Sequence, residues 1–180
     1  MKKLFALVLS LCLLCSFAMA ETAESTLPTV NWADFEDKAV EIGGVLHGFG
    51  EIGIDYMMFV PEGFQAVEVP ADAAEAGVLE ILSNGTLTFS VAKYSIEGMT
   101  GEQFIESLKQ ANATQIEAGI LNGKESVSYI LTTPDGIMTA NVAIPTDDEK
   151  EMLTFTFAPA DNQEMQEILT VVAASVQPIK

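Results

Sequence analysis

Arginine is missing from this 180-residue chain, and histidine and tryptophan each occur once. The two cysteines, Cys12 and Cys15, both lie within the first twenty residues. Each scarcity removes a class of chemistry. Without arginine there is no planar fork for two-point contact with phosphate or carboxylate groups. The formal net charge of −18, from 26 acids against 8 lysines, repels polyanions. Both facts argue against nucleic acid as a partner. With no cysteine after residue 15, the body of the chain has no disulfide, no thiolate nucleophile and no Cys-ligated zinc. A chain this long does not need such staples, because its core is large enough unaided.

The one long apolar run, Leu4 to Phe17, follows Lys2 and Lys3 and is interrupted by Ser10 and Ser16. Its 14 residues fall short of the roughly 20 that span about 30 Å of hydrocarbon. Ala18 and Ala20 place small residues at −3 and −1 of a cleavage site, with Glu21 as the first mature residue. Residues 1–20 therefore read as a secretory signal peptide, and the protein as secreted or periplasmic. Membrane contact is expected through that segment alone, during export. Lipid attachment needs a small residue directly before the cysteine, whereas Leu11 precedes Cys12 and Leu14 precedes Cys15. Loss of Lys2 and Lys3 with the leader makes the remainder more acidic still.

Residues 21–30 are small, polar and contain Pro28, which reads as a flexible tail. No linker or repeat divides the remaining chain, so residues 31–180 are expected to form one domain. Trp32, Phe35, Ala39 and Ile42 make a helical stripe that Gly43-Gly44 ends. Val45–Phe49 and Ile52–Val60 read as a first strand pair, closed by Pro61-Glu62-Gly63, and Pro70–Glu75 as a single helical turn. Ser83-Asn84-Gly85 between Val78–Leu82 and Leu87–Tyr94 is a hairpin signal. Thr100 and Gln103 fit a capping box opening a helix to Ala111, with Phe104 and Leu108 on its apolar stripe. Asn122-Gly123 and Pro134-Asp135-Gly136 then separate closely spaced strands, the last being Met152–Phe157. A final helix is read from Asp161, capped with Glu164, to the residues before Pro178. Tight turns between consecutive strands require antiparallel neighbours. The fold class is therefore α+β: an antiparallel sheet of about six to eight strands covered by two to three helices.

Over about residues 52–180 the order of elements has a further likeness. A strand ends in Phe59-Val60-Pro61-Glu62-Gly63-Phe64; a hairpin, a helix and an antiparallel meander come next; and a last helix closes on Ala174-Ser175-Val176-Gln177-Pro178. This resembles the PsbP-like fold, which is shared by an extrinsic photosystem II subunit, a Ran-binding nuclear transport factor and small exported bacterial proteins. The resemblance implies an α/β/α sandwich and a binding or assembly role rather than catalysis. It carries over no functional residue, and the N-terminal helix with Trp32 is an addition to the minimal pattern.

Several stretches invite chemical readings. Gly48-Phe49-Gly50-Glu51-Ile52-Gly53 matches G-x-G-x-x-G, but a dinucleotide site needs a helix after it, and Ile54–Val60 reads as a strand. It is better taken as a glycine-rich turn. His47 lacks a nucleophile-elbow pattern and reads as an ordinary strand residue. Asp147-Asp148-Glu149 with Glu151 is the densest acidic run, a calcium candidate without the D-x-D-x-D-G loop, and otherwise a solvated tip. Paired acids across a cleft would suit glycan hydrolysis, though no pair stands out among 26. Met57-Met58-Phe59 and Trp32 read as core before ligand surface. Asn84-Gly85-Thr86 and Asn112-Ala113-Thr114 are glycosylation sequons, meaningful in a eukaryotic secretory host. No catalytic, cofactor or metal residue is assigned. The expectation is a non-enzymatic exported binding or accessory domain for a protein or small ligand. A carboxylate-dependent hydrolase of glycan or cell-wall material, and a calcium-binding envelope module, are the alternatives.

Overall fold

The computed structural model describes residues 27–179. The leader, its cleavage residues Ala18, Ala20 and Glu21, and most of the expected tail lie outside the described residues. Turn chemistry organises the second half of the chain. Asn122 and Gly123 take φ of 49° and 83°, the left-handed pair that a two-residue hairpin requires, joining β7 (Thr114–Leu121) to β8 (Lys124–Thr132). Gly136 at φ 83° helps turn β8 into β9 (Met138–Pro145), and residues 146–150 lead to β10 (Glu151–Ala158). These four strands form the antiparallel meander read from the sequence.

Strand β10 then pairs with a distant segment, β6 (Thr88–Ser95), with Phe155 opposite Val91. From there the sheet runs through β5 (Val78–Ser83) to a short edge strand, β4 (Gln65–Val67). At the far edge, β1 (Thr29–Val30) lies parallel to β7, which makes the eight-stranded sheet mixed rather than purely antiparallel. This corrects the reading of residues 27–30 as tail. The Ile120 amide donates to Pro28 O at 2.8 Å and the Asn122 amide to Val30 O at 2.9 Å. An open strand edge satisfies a backbone that composition alone assigns to solvent.

A second sheet of three strands, β2 (Gly44–Gly48), β3 (Tyr56–Pro61) and β11 (Gln177–Pro178), has β3 in its centre. Among the described residues, four helices complete the α+β fold: α1 (Glu36–Ile42), α2 (Ala71–Glu75), α3 (Gly101–Gln110) and α4 (Gln163–Ala174). The Thr100–Gln103 capping box forms as expected, each side chain accepting from the other residue's amide. Two local readings are corrected. The α4 cap is Asn162, whose Oδ1 accepts from the Glu164 and Met165 amides, one residue later than Asp161. Trp32 sits in a single 3-10 turn (Trp32–Asp34) before α1, because i, i+3 spacing fits three residues per turn as well as 3.6. Its indole stacks on Phe59 at 6.1 Å.

Alternation along the strands divides the packing in two. Phe89, Val142, Leu153, Phe155 and Phe157 point to one face of the large sheet, where they meet Tyr56 and Met58 of β3 and Met165 and Val172 of α4. On the other face α3 lays Phe104 and Leu108 over Tyr129, Ala143 and Met152. Fully burying each Phe, Leu, Met or Val among them contributes about 1.5–3 kcal/mol. Polar groups inside are matched. Asn141 donates to Thr139 Oγ1 at 3.0 Å and accepts from Thr156 Oγ1 at 2.8 Å. Ser175, fully buried, accepts from the Phe59 amide at 2.7 Å and donates to Val172 O at 2.6 Å, fastening β3 to the end of α4. Among the described residues no helix is long and apolar enough to cross a membrane.

Candidate functional site: a cleft between the two sheets

Strand β2 begins where Gly43-Gly44 stops α1, and Gly44 is required there by close approach. A Cβ on Gly44 would collide with Val60 O and Pro61 Cα. The strand pairs with β3 on one side, with Gly43 and Glu62 at one end and Phe49 and Tyr56 at the other joined by hydrogen bonds. Antiparallel pairs alternate between bonded and non-bonded. Val45 and His47 therefore turn their peptide groups to β3, whereas Gly44, Leu46 and Gly48 turn theirs outward. The outward side is the sheet edge. Side chains alternate in the other sense: Val45 and His47 face the large sheet, and Leu46 shares the opposite face with Phe59.

Between β2 and the edge of the large sheet lies a cleft of about 230 Å³. Val45, Val60, Phe64, Ala66 and Leu82 supply apolar wall, and His47, Glu62 and Gln65 are the polar residues that line it. Phe64 anchors the connection beneath it by stacking on Phe89, centroids 4.2 Å apart and planes 13° from parallel. At the rim, His47 Nε2 lies 3.0 Å from Glu80 Oε1, placed for its N–H to donate to the carboxylate. The ring also rests edge-on against Phe49 at 5.0 Å. The imidazole is one-third exposed and Glu80 more enclosed, at 16%. The pair ties the two sheets together across 33 positions of sequence.

Sequence reasoning treats His47 as an isolated strand residue and misses this pairing. The signal is Glu80 itself, one acid within the apolar run Val78-Leu79-Glu80-Ile81-Leu82, which calls for a partner. Chemically the dyad can orient a hydrogen-bonding group at the cleft mouth. Among the described residues, His47 contacts no hydroxyl that it could activate as a nucleophile.

The structure places the other candidates apart from this site. The G-x-G-x-x-G stretch is a turn: a 3-10 segment (Gly50–Ile52), then Gly53 at φ 77°, then β3, with no helix opening after it. The acidic run diverges. Asp147 pairs with Lys124 at 2.6 Å, Asp148 accepts from Thr146 Oγ1 at 2.7 Å, and Glu151 pairs with Lys93 at 3.1 Å. The Thr146 hydroxyl and the Lys150 amide hold the Asp148 carboxyl below its ordinary range. Asp147 raises the Lys124 ammonium above its own ordinary value. Among the described residues, no three His, Asp or Glu side chains converge on a metal position. Asn84 of the first sequon closes its own turn, its Oδ1 accepting from the Thr86 and Leu87 amides. Asn112 of the second sits left-handed at φ 61° behind α3. Met58 and Phe59 are core, and Met57 is partly covered.

No family of known proteins matches the sequence, and no curated protein does. Among solved structures, a protein of Bacteroides thetaiotaomicron is similar over 77% of this chain at 13% identity, with a TM-score of 0.46. The chain spans 49% of that protein's length.

Proposed function

We propose that this chain is an exported binding or accessory domain that takes its ligand in the cleft between β2 and the β4–β5 edge. The observation that carries this is the cleft, apolar-walled and about 230 Å³, with His47, Glu62 and Gln65 in its lining to orient what enters. Export rests on Lys2-Lys3, the Leu4–Phe17 run and Ala18-Met19-Ala20. The PsbP-like resemblance favours binding or assembly over catalysis. Amide chemical-shift mapping of the protein from Glu21 onward, against short peptides and cell-wall glycan fragments, tests the reading. Shifts clustered on Val45, Phe64, Ala66 and Leu82 support it; ligand shifts confined to another face would refute it.

Hydrolysis by carboxylates is the second reading, favoured by one feature, the presence of Glu62 in the cleft wall and Glu80 at its rim. Release of reducing ends from glycan by the native chain, abolished by Glu62→Gln or Glu80→Gln, would establish it.

A further inference from the structure

The free edge of β2 is unprotected. Sheet edges in soluble proteins are blunted by charged side chains, proline or bulges. Strand β2, Gly-Val-Leu-His-Gly, has no lysine, no acid, no proline and no bulge against β3. Its two large aliphatic side chains are left exposed, Val45 at 67% on the cleft side and Leu46 at 46% on the opposite face. Gly44, Leu46 and Gly48 direct their N–H and C=O groups along this edge at every second residue, the spacing an added strand engages. Among the described residues, those groups have no backbone partner.

Charge says what covers it. Glu41 precedes the strand by three residues and Glu51 comes three residues after it; Glu62 lines the cleft, and Glu68 stands directly after β4. Lys38, on the second turn back from β2, is the one cation in these neighbouring segments. A second copy fits poorly. Two-fold pairing about Leu46 would set the Glu51 end of one strand against the Glu41 end of the other, in chains that each carry −18. A basic segment of another protein gains where a second copy loses.

Resting on the cleft as the ligand site, we infer that β2 is a docking edge for an extended, lysine- or arginine-bearing segment of a partner protein, added antiparallel or parallel as a fourth strand. Alternate side chains of that segment enter the cleft over Ala66 and Leu82, and the basic ones between them face the acids at the strand ends. Specificity then comes from the cleft, and attraction from charge.

The test uses the protein from Glu21 onward and a capped eight-residue peptide of alternating valine and lysine, with binding read by amide shift mapping. The expected result is shifts at Gly44, Leu46 and Gly48, saturating in the micromolar to millimolar range. The affinity should fall at least threefold between about 20 and about 300 mM sodium chloride. The same peptide with N-methylated alternate amides, and one with glutamate for lysine, should bind at least tenfold more weakly. Leu46→Pro removes an outward N–H that β3 does not use and should abolish binding; if that variant fails to fold, Leu46→Lys supplies a same-sign charge at the edge and should weaken it. Equal binding of the N-methylated peptide, or unaltered binding by Leu46→Lys, would overturn strand addition. Shifts at Phe64 and Leu82 with the three edge amides unmoved would overturn it too, while leaving the cleft as a ligand site. No shift in either set at millimolar peptide, or dimerisation of the protein through Leu46, also sinks the inference.

Discussion

Removing the Asn122 side chain is the sharpest test of how this fold is tied together. The residue turns β7 into β8, yet its amide also reaches two other parts of the chain. Nδ2 donates to Ala174 O and to Val176 O, both at 2.8 Å, and Oδ1 accepts from the Trp32 amide at 2.6 Å. One side chain therefore joins the entry of the domain, the end of α4 and the meander. At about 1 kcal/mol net for each hydrogen bond, Asn122→Gly should cost about 3 kcal/mol. Asn122→Ala should cost about 4–5 kcal/mol, since alanine adds 1–2 kcal/mol of left-handed strain at φ 49°. Asn122→Asp keeps the acceptor for Trp32 but turns a carboxylate oxygen toward two carbonyls, and should cost at least as much as glycine. Urea unfolding of the three variants, at an unchanged denaturant slope, gives these differences directly. If Asn122→Gly unfolds within about 0.5 kcal/mol of the native chain, the tie contributes nothing and the reasoning fails.

Ser175→Ala orphans the buried Phe59 amide and should lower stability by about 1–3 kcal/mol, whereas Ser175→Thr would fail for a different reason, overpacking. Phe155→Ala empties the centre of the inner sheet face and should cost about 3–5 kcal/mol in the same urea assay. Burial, reinforced by Tyr94, holds the Tyr129 phenol above its ordinary 10.0. The unfolded chain then releases that proton first, so the contribution is complete below pH 10 and declines as pH rises beyond it. The urea midpoint should fall between about pH 10 and about pH 11.5, and Tyr129→Phe should flatten the fall; parallel slopes would count against this cause. With a net charge of −18, screening should raise the thermal midpoint between about 20 and about 200 mM sodium chloride, and a fixed or lower midpoint would contradict self-repulsion.

Local chemistry is the legible part of this fold. Thr100 and Gln103 satisfy each other's amides over three residues, and Asn122-Gly123 needs only its own φ angles, so both can be read directly. What depends on distant segments is hidden. Nothing near Thr88–Ser95 announces β10 as its neighbour, because alternating strands such as Phe89-Ser90-Val91 and Phe155-Thr156-Phe157 are compatible with many partners. Likewise Thr29–Val30 carries no strand pattern and is held by an edge supplied from residue 120 onward. The α4 cap slips by one residue because Asp161 and Asn162 are both competent caps, and the surrounding chain chooses. The site obeys the same rule. Glu80 within its apolar run calls for a partner but does not name His47, and the cleft exists only once two sheets meet.

The parallel pairing of Thr29–Val30 with β7 fixes where any upstream sequence departs from the body. Strands β1 and β4 close opposite ends of the large sheet. Seven interstrand steps of about 4.8 Å put roughly 34 Å between those ends, less whatever the twist takes back. A bead, a fluorophore or a fused reporter attached ahead of Leu27 would hang from the β1 end and leave the mouth beside Phe64 facing open solution. Immobilisation through that terminus is accordingly the orientation for surface-based binding measurements, and attachment near Val67 would occlude what it is meant to detect.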